Sequence, residues 1–303
     1  MSSNKKILIV GGTGFIGYHL AKKSLKKGWK VTSISSKPPK KIRYLSKVEY
    51  LFCDISNKAS LRRKIKKNFK YVVNLGGHVD HSNKKKTFNS HYIGCKNLSS
   101  IFLKKKIDTF VQMGSSSEYG TAPSPHKENF KCNTKSIYGN AKLLATSYLM
   151  DLFKRKKFPS VVLRLYQAYG PRQDLNRFIP IIISSCIKNK KFPSSHGNQL
   201  RDFVYVEDVA DAIIKSLTKP KAKGQIINIG SGKVQKLKNI IKYISSNLKG
   251  GYPQFGMVKL RKDEIIKSYP NTSKAINKIN WKSKTLFKIG IKKTIKFYKK
   301  NEI

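Results

Sequence analysis

Tyr138 and Lys142, in the stretch Ser136-Ile-Tyr138-Gly-Asn-Ala-Lys142, stand four residues apart. On a helix that spacing puts both on one face. A nearby ammonium favours the phenolate over the phenol, which makes the tyrosine hydroxyl a better proton shuttle near neutral pH. Taken alone, the pair reads more plainly as the exposed helix of a lysine-rich protein. A second set is Gly11, Gly14 and Gly17 in Gly11-Gly12-Thr13-Gly14-Phe15-Ile16-Gly17. It follows an apolar stretch, 5–10, and opens a helix that runs to about residue 27. In that strand–turn–helix setting the first two glycines let backbone approach a pyrophosphate, and the third lets helix and strand pack closely. The helix N-terminus adds amide donors and a positive dipole end. The expected ligand is a dinucleotide.

These residues need a scaffold, and the hydrophobic pattern describes one. Strands are expected at 5–10, 30–35, 48–52, 71–75, 110–113 and 161–165, alternating with helices, among them one over 84–104. Alternation of this kind predicts an α/β fold: a doubly wound parallel sheet of the Rossmann kind, covered on both faces. Past about residue 166 the pattern weakens. A helix is expected over 177–188, a short strand at 202–205, a helix at 207–217 and a last core strand at 225–229. Helices over 237–248, 273–279 and 284–298 complete the chain. The predicted division is a dinucleotide-binding domain over 1–165, to which 203–230 returns, and a smaller C-terminal region over 166–303 that leans on it.

Strand ends supply further cofactor contacts. Dinucleotide folds specific for NAD place an acid near the end of the second strand, to hold the ribose hydroxyls. Here the residues are Ser35-Ser36-Lys37. Hydroxyls and a cation suit a 2′-phosphate, so NADP is expected over NAD. Asp54, before Ile55, could accept from an adenine amino group or cap the next helix. The fourth strand, through Leu75, ends in Gly76-Gly77-His78, where small residues admit a ligand.

Composition narrows the class. At 303 residues with 39% hydrophobic content the chain can bury a full core. It has no apolar run of the roughly 18 residues that would suggest a membrane span. The N-terminus enters a strand directly instead of a signal-peptide core, so a cytoplasmic protein is expected. The four cysteines, Cys53, Cys95, Cys132 and Cys186, form neither CxxC nor a Cys/His cluster, so no metal site is expected. The charge is unusual: 64 Lys+Arg against 15 Asp+Glu, net +49. Such a field attracts polyanions. Yet the lysines are spread along the whole chain with no separate basic tail, which points to surface composition. Nucleic acid is not the expected partner, and an anionic small substrate fits.

Taken together, the motifs resemble the extended short-chain dehydrogenase/reductase family, and within it the nucleotide-sugar epimerases, dehydratases and reductases. The resemblance covers essentially the whole chain. It rests on Gly11-x-x-Gly14-x-x-Gly17, the serine cluster before Tyr119-Gly120, and Tyr138-x-x-x-Lys142. Arg164-Leu-Tyr-Gln-Ala-Tyr-Gly-Pro171 and Arg201-Asp-Phe-Val-Tyr-Val-Glu-Asp208 complete it. It implies Ser115 as the third catalytic residue, four before Tyr119. Lys142 would bind the nicotinamide ribose and lower the pKa of Tyr138. Tyr138 would pass a proton to or from a sugar oxygen that Ser115 also holds. The implied cofactor contacts take in Gly11, Thr13, Gly14, Phe15, Ile16 and Gly17 of the turn. They continue through Ser35, Ser36, Lys37, Asp54, Ile55, Leu75, Gly76 and Gly77, with Tyr166 beside Tyr138 and Lys142. On the substrate side, Arg201 and Arg261 match arginines that hold the nucleotide diphosphate. Gln167 stands where many members have Asn, Phe192 falls in a loop near the base, and Ser116 and Arg177 complete the set. A homodimer through the Tyr138 helix is implied.

Departures from the family pattern bear on the reaction. The 4,6-dehydratases carry Asp-Glu directly after the catalytic Thr, where this chain has Ser116-Ser117. Dehydration is therefore not expected. His91 replaces a frequent active-site Asn, and Asn271 a frequent Asp. Two reactions remain: reduction of a 4-keto-6-deoxy sugar nucleotide with exchangeable NADPH, and 4-epimerisation with NAD kept bound. The missing acid favours the reductase. The rival class is a non-catalytic cofactor- or RNA-binding relative, which has no need of Ser115, Tyr138 and Lys142.

Overall fold

The computed structural model describes residues 5–78, 82–260 and 264–301. Its first half alternates strand and helix: β1 Lys6–Val10, α1 Phe15–Lys26, β2 Lys30–Ser35, β3 Val48–Phe52, α2 Lys58–Lys64 and β4 Tyr71–Asn74. Helices α3 Lys84–Phe88 and α4 Gly94–Phe102 lead to β5 Thr109–Ser115, α5 Ile137–Lys156 and β6 Ser160–Leu165. The second half holds β7 Gln167–Tyr169, α6 Phe178–Ile187, β8 Lys191–Ser194, β9 Leu200–Tyr205, α7 Val206–Thr218 and β10 Ile226–Ile229. It ends with β11 Val234–Lys236, α8 Leu237–Leu248, β12 Tyr252–Phe255, β13 Lys267–Ser268, α9 Ser273–Ile279 and α10 Phe287–Lys300.

Seven strands form one parallel sheet in the order β10-β6-β5-β4-β1-β2-β3. Successive side chains of a strand point to opposite faces. Both faces here are apolar: Ile7, Ile9, Val73, Val111 and Leu163 fill one layer with Leu20, Ile213 and Trp281. Leu8, Val10, Val72, Phe110 and Val162 fill the other with Leu98 and Leu149. A Rossmann architecture is what this alternating burial produces. The C-terminal region has its own core of Ile183, Phe192, Phe203, Ile241, Ile244 and Ile291. No helix among the described residues is long and apolar enough to cross a membrane.

Several boundaries differ from the sequence expectation. The helix expected over 84–104 is α3 and α4 joined by a π-turn, Asn89–Ile93, that carries His91. The strand expected at 202–205 starts at Leu200, and it leaves the main sheet for a small one with β7, β11 and β13. Of the 203–230 segment, α7 packs on α1 and β10 joins the large sheet through β6. The last helix starts at Phe287, not 284, because the Asp208 carboxylate accepts from the backbone of Lys284 at 3.1 Å and Thr285 at 2.8 Å. Strands β7, β8, β11, β12 and β13 were not anticipated. They span two to four residues, too short to leave a local period.

Candidate active site

The carboxyl ends of β1, β2, β4 and β5 bring the glycine turn and the tyrosine pair to one edge of the sheet. Gly11 has φ +78°, and a Cβ there would lie 3.0 Å from the Leu75 carbonyl carbon. A Cβ on Gly17 would come within 2.3 Å of Gly11 O, so the helix can approach the strand only without one. Gly14 N donates to Gly11 O at 3.0 Å and closes the turn. As N-cap of α1, Gly14 offers no side-chain acceptor, so the first-turn amides of a 12-residue helix are left for an anion. This cradle fits a dinucleotide pyrophosphate. Leu75, Gly76 and Ile55 line its far side: a Cβ on Gly76 would meet Ile55 Cδ1 at 3.0 Å.

Two expectations at the adenosine end change. Ser35 Oγ is buried beneath the turn, where it accepts from Thr13 N at 3.3 Å; it braces the loop from below. Ser36 and Lys37 are exposed at the end of β2. Asp54 does not cap the next helix. Its Oδ1 accepts from the N and Oγ of Ser56, both at 2.8 Å, and Asn57 caps α2 through Ser60 N.

Helix α5 starts because Ser136 Oγ accepts from Gly139 N at 3.0 Å, and its first two turns present Tyr138 and Lys142 to the end of β5. The Ser115 hydroxyl faces the Tyr138 phenol and favours its ionised form. Ser115 Oγ also accepts from Ser117 N at 3.1 Å, which leaves its own proton for donation. Lys142 Nζ donates to Met113 O at 2.6 Å and lies 5.9 Å from the centroid of the Tyr138 ring. His91 meets the same ring edge-on, centroids 5.0 Å apart, and packs where a side chain on Gly77 would sit. Burial pushes the Tyr138 phenol up, with Ser115 and Arg177 opposing the shift. The expectation that Lys142 sets a low phenol pKa is thus corrected, since its ammonium is aimed at a carbonyl. Burial in turn lowers Lys142 to about 8.

The substrate-side residues are more scattered. Ser116 begins the short 3₁₀ turn after Ser115, and Arg177 is the N-cap of α6, with its charge felt at Tyr138. Gln167 is exposed on β7, the strand beside that of Arg201. The Arg201 guanidinium pairs with Glu264 Oε1 at 2.7 Å and donates to Leu200 O and Ile266 O, each at 3.0 Å. Phe192 does not belong to a loop. It sits in β8 with its ring buried in the C-terminal core, where it cannot stack on a base. The Tyr166 ring also turns inward, its hydroxyl 2.8 Å from His126 Nδ1, so only its backbone can face a cofactor. Arg261 lies outside the described residues.

Sequence reasoning missed the layer beneath Ser115. Glu118, fully buried, pairs with Arg164 at 2.9 Å. The available signal was an arginine inside the apolar strand Ser160–Leu165, where an unpaired charge would be costly.

Comparison with known proteins adds independent findings. A family model described as NAD dependent epimerase/dehydratase family matches residues 7–230. A putative UDP-glucose 4-epimerase of Methanocaldococcus jannaschii is 29% identical, over 97% of this chain and 99% of its own length. The dTDP-D-glucose 4,6-dehydratase of Mus musculus is 27% identical over 98% of this chain and 89% of its own. Among solved structures, Pal from Bacillus thuringiensis superposes with a TM-score of 0.91 at 26% identity, covering 98% and 99% of the two chains. The Thermotoga maritima UDP-glucose 4-epimerase with UDP-glucose gives a TM-score of 0.93 at 23% identity over 98% and 100%, a likeness of fold.

Proposed function

The chain belongs to the NAD-dependent epimerase/dehydratase family, and from that premise we propose that it moves a hydride at a ring carbon of a nucleotide-activated sugar without loss of water. The observation that carries this reading is the meeting of the Ser115 hydroxyl and the buried Tyr138 phenol at the carboxyl end of the sheet, with Lys142 on the same helix face. The bound nicotinamide would supply or accept the hydride. Tyr138 gives the matching proton to the sugar oxygen or takes it away. Ser115, whose oxygen is engaged by Ser117 N, donates to that same oxygen and keeps it in line with the phenol. Gly11, Gly14 and Gly17 and the first-turn amides of α1 hold the pyrophosphate, and Lys142 holds the nicotinamide ribose. Arg201, released from Glu264, grips the substrate diphosphate.

Loss of water needs a carboxylic acid and a carboxylate facing the sugar. The positions after Ser115 are serines, and the adjacent acid, Glu118, is buried against Arg164. This supports hydride transfer alone.

As the specific reaction we propose reduction of an NDP-4-keto-6-deoxyhexose by NADPH, from the absence of an acid at Ser35-Ser36-Lys37. The M. jannaschii relative favours a second reading, a 4-epimerase that keeps NAD. Mass spectrometry of small molecules released from the denatured protein separates the two. NAD at one equivalent per chain would exclude the reductase, and a chain free of nucleotide that oxidises added NADPH would exclude the epimerase. The exposed Leu144 on α5 supports a homodimer through that helix, which sedimentation velocity at two concentrations tests.

A further inference from the structure

We infer that Glu118 is a positioning residue for proton transfer: its buried carboxylate ties the strand end that presents Ser115 to the helix that carries Tyr138 and Lys142. The inference rests on the reading of those three residues given above.

Three hydrogen bonds make the tie. Oε1 accepts from Ser115 N at 2.8 Å. Oε2 accepts from Thr146 Oγ1 at 2.9 Å and from Arg164 Nε at 2.9 Å. Thr146 lies four residues beyond Lys142 and eight beyond Tyr138, on the same face of α5. The Thr146 bond therefore sets the height and rotation of that face against β5. The Ser115 bond sets the backbone of the residue whose hydroxyl meets the phenol. One carboxylate thus holds both partners of the Ser115–Tyr138 contact. The site is built to receive it: Gly114 carries no Cβ, which would lie 2.5 Å from Glu118 Oε1, and Arg164 reaches in from β6 beside it. The Arg164 guanidinium is further held over the Tyr119 ring, 4.5 Å from its centroid. Short charge-assisted bonds of this kind, in a low-dielectric interior, fix geometry more firmly than neutral ones.

The carboxylate also acts through its charge. Tyr138 is faced by the Ser115 hydroxyl, the His91 ring, Lys142, Arg177 and, from behind, Glu118. Lys142 is faced by Glu118 and Cys95. The negative charge of Glu118 raises the Tyr138 phenol and helps Lys142 keep its proton against burial. The Ser115 hydroxyl works the other way and favours the phenolate.

Opposite signs give a test that needs neither substrate nor cofactor. The probe is the ultraviolet difference titration of the Tyr138 phenolate, taken as each protein minus its own Tyr138→Phe counterpart. With Glu118→Gln the phenolate should appear at lower pH, because a like charge is gone. Thr146→Val keeps the charge and cuts the helix tether, so the phenol shifts away from the Ser115 hydroxyl and the phenolate should appear at higher pH, in the direction of Ser115→Ala. Thr146→Ser, which keeps the hydroxyl, should titrate as the unaltered protein. A Glu118 that acts by charge alone, or that only stabilises the fold, would leave the Thr146→Val titration where the unaltered protein has it, and that result overturns the inference. If Glu118→Gln does not fold, Thr146→Val decides: a titration unmoved from the unaltered protein overturns it. Failure of the catalytic reading is seen separately, as turnover retained by Tyr138→Phe itself.

Discussion

The glycine turn and the Arg201 strand are both candidate anion sites, and they are made in opposite ways. The turn takes its shape from seven consecutive residues, its donors are backbone amides, and its glycines are required by approaches as close as 2.3 Å. Arg201 lies in a small sheet assembled from β7, β9, β11 and β13, whose partners are as far along the chain as Ser268. Its donors are side-chain nitrogens already engaged by Glu264 and two carbonyls. A site coded by backbone conformation is readable in a short window and tolerates little substitution. A site coded by side chains on paired short strands depends on distant segments meeting, and it can change specificity without disturbing the cofactor.

The largest effect is expected where the halves meet: Tyr138→Phe should lower kcat by about 10³ or more while cofactor affinity changes less than twofold, measured by turnover and by nicotinamide fluorescence. Retained turnover would remove Tyr138 as the acid–base group. Next, Gly17→Ala should weaken cofactor binding by on the order of a hundredfold, because its Cβ must displace Gly11 O and open the turn. Binding within threefold would show that the turn is not the pyrophosphate cradle. Arg201→Ala should raise KM for a sugar nucleotide such as UDP-glucose by about tenfold and leave cofactor affinity unchanged. Arg201→Lys should recover only part of the loss, since a point charge lacks the planar fork; equal KM values across the three proteins would disprove the diphosphate role. The smallest effect concerns pH. Burial lowers Lys142 to about 8, so its ammonium is present below that pH and is lost above it. Cofactor affinity of the ligand-free protein should fall by roughly threefold as pH passes through 8, and Lys142→Met should flatten that dependence.

Much of this was legible before the structure. Strands β2 and β3 have the predicted boundaries because the short stretches KVTSIS and VEYLF are rich in β-branched and aromatic residues and lie between polar, lysine-rich segments. Helices α8 and α9 were also placed at their ends by pattern alone. The C-terminal strands were not, because pairs such as Lys267↔Leu200 and Phe192↔Pro253 exist only through long-range registry. Phe192 shows the consequence: a residue assigned to a loop near the base turned out to be core, since nothing local marks a four-residue strand. Ser35 shows another. Its type suited a phosphate, but its pleat position turns it under the turn.

For the pair Tyr138 and Lys142, the sequence by itself determined that they share a helix face, because helical periodicity makes i and i+4 neighbours. It also determined the glycine turn, because close backbone approach and positive φ admit no other residue. The tertiary structure alone decided what surrounds the phenol. The Ser115 hydroxyl faces it, His91 meets its edge, and Lys142 aims at Met113 O. Glu118 fixes the distance between strand and helix. Those relations join residues of one strand, β5, with three helical segments: the π-turn, the 3₁₀ turn and α5. Burial, which raises the phenol and lowers the ammonium, is a property of the packed whole and has no counterpart in any window of sequence.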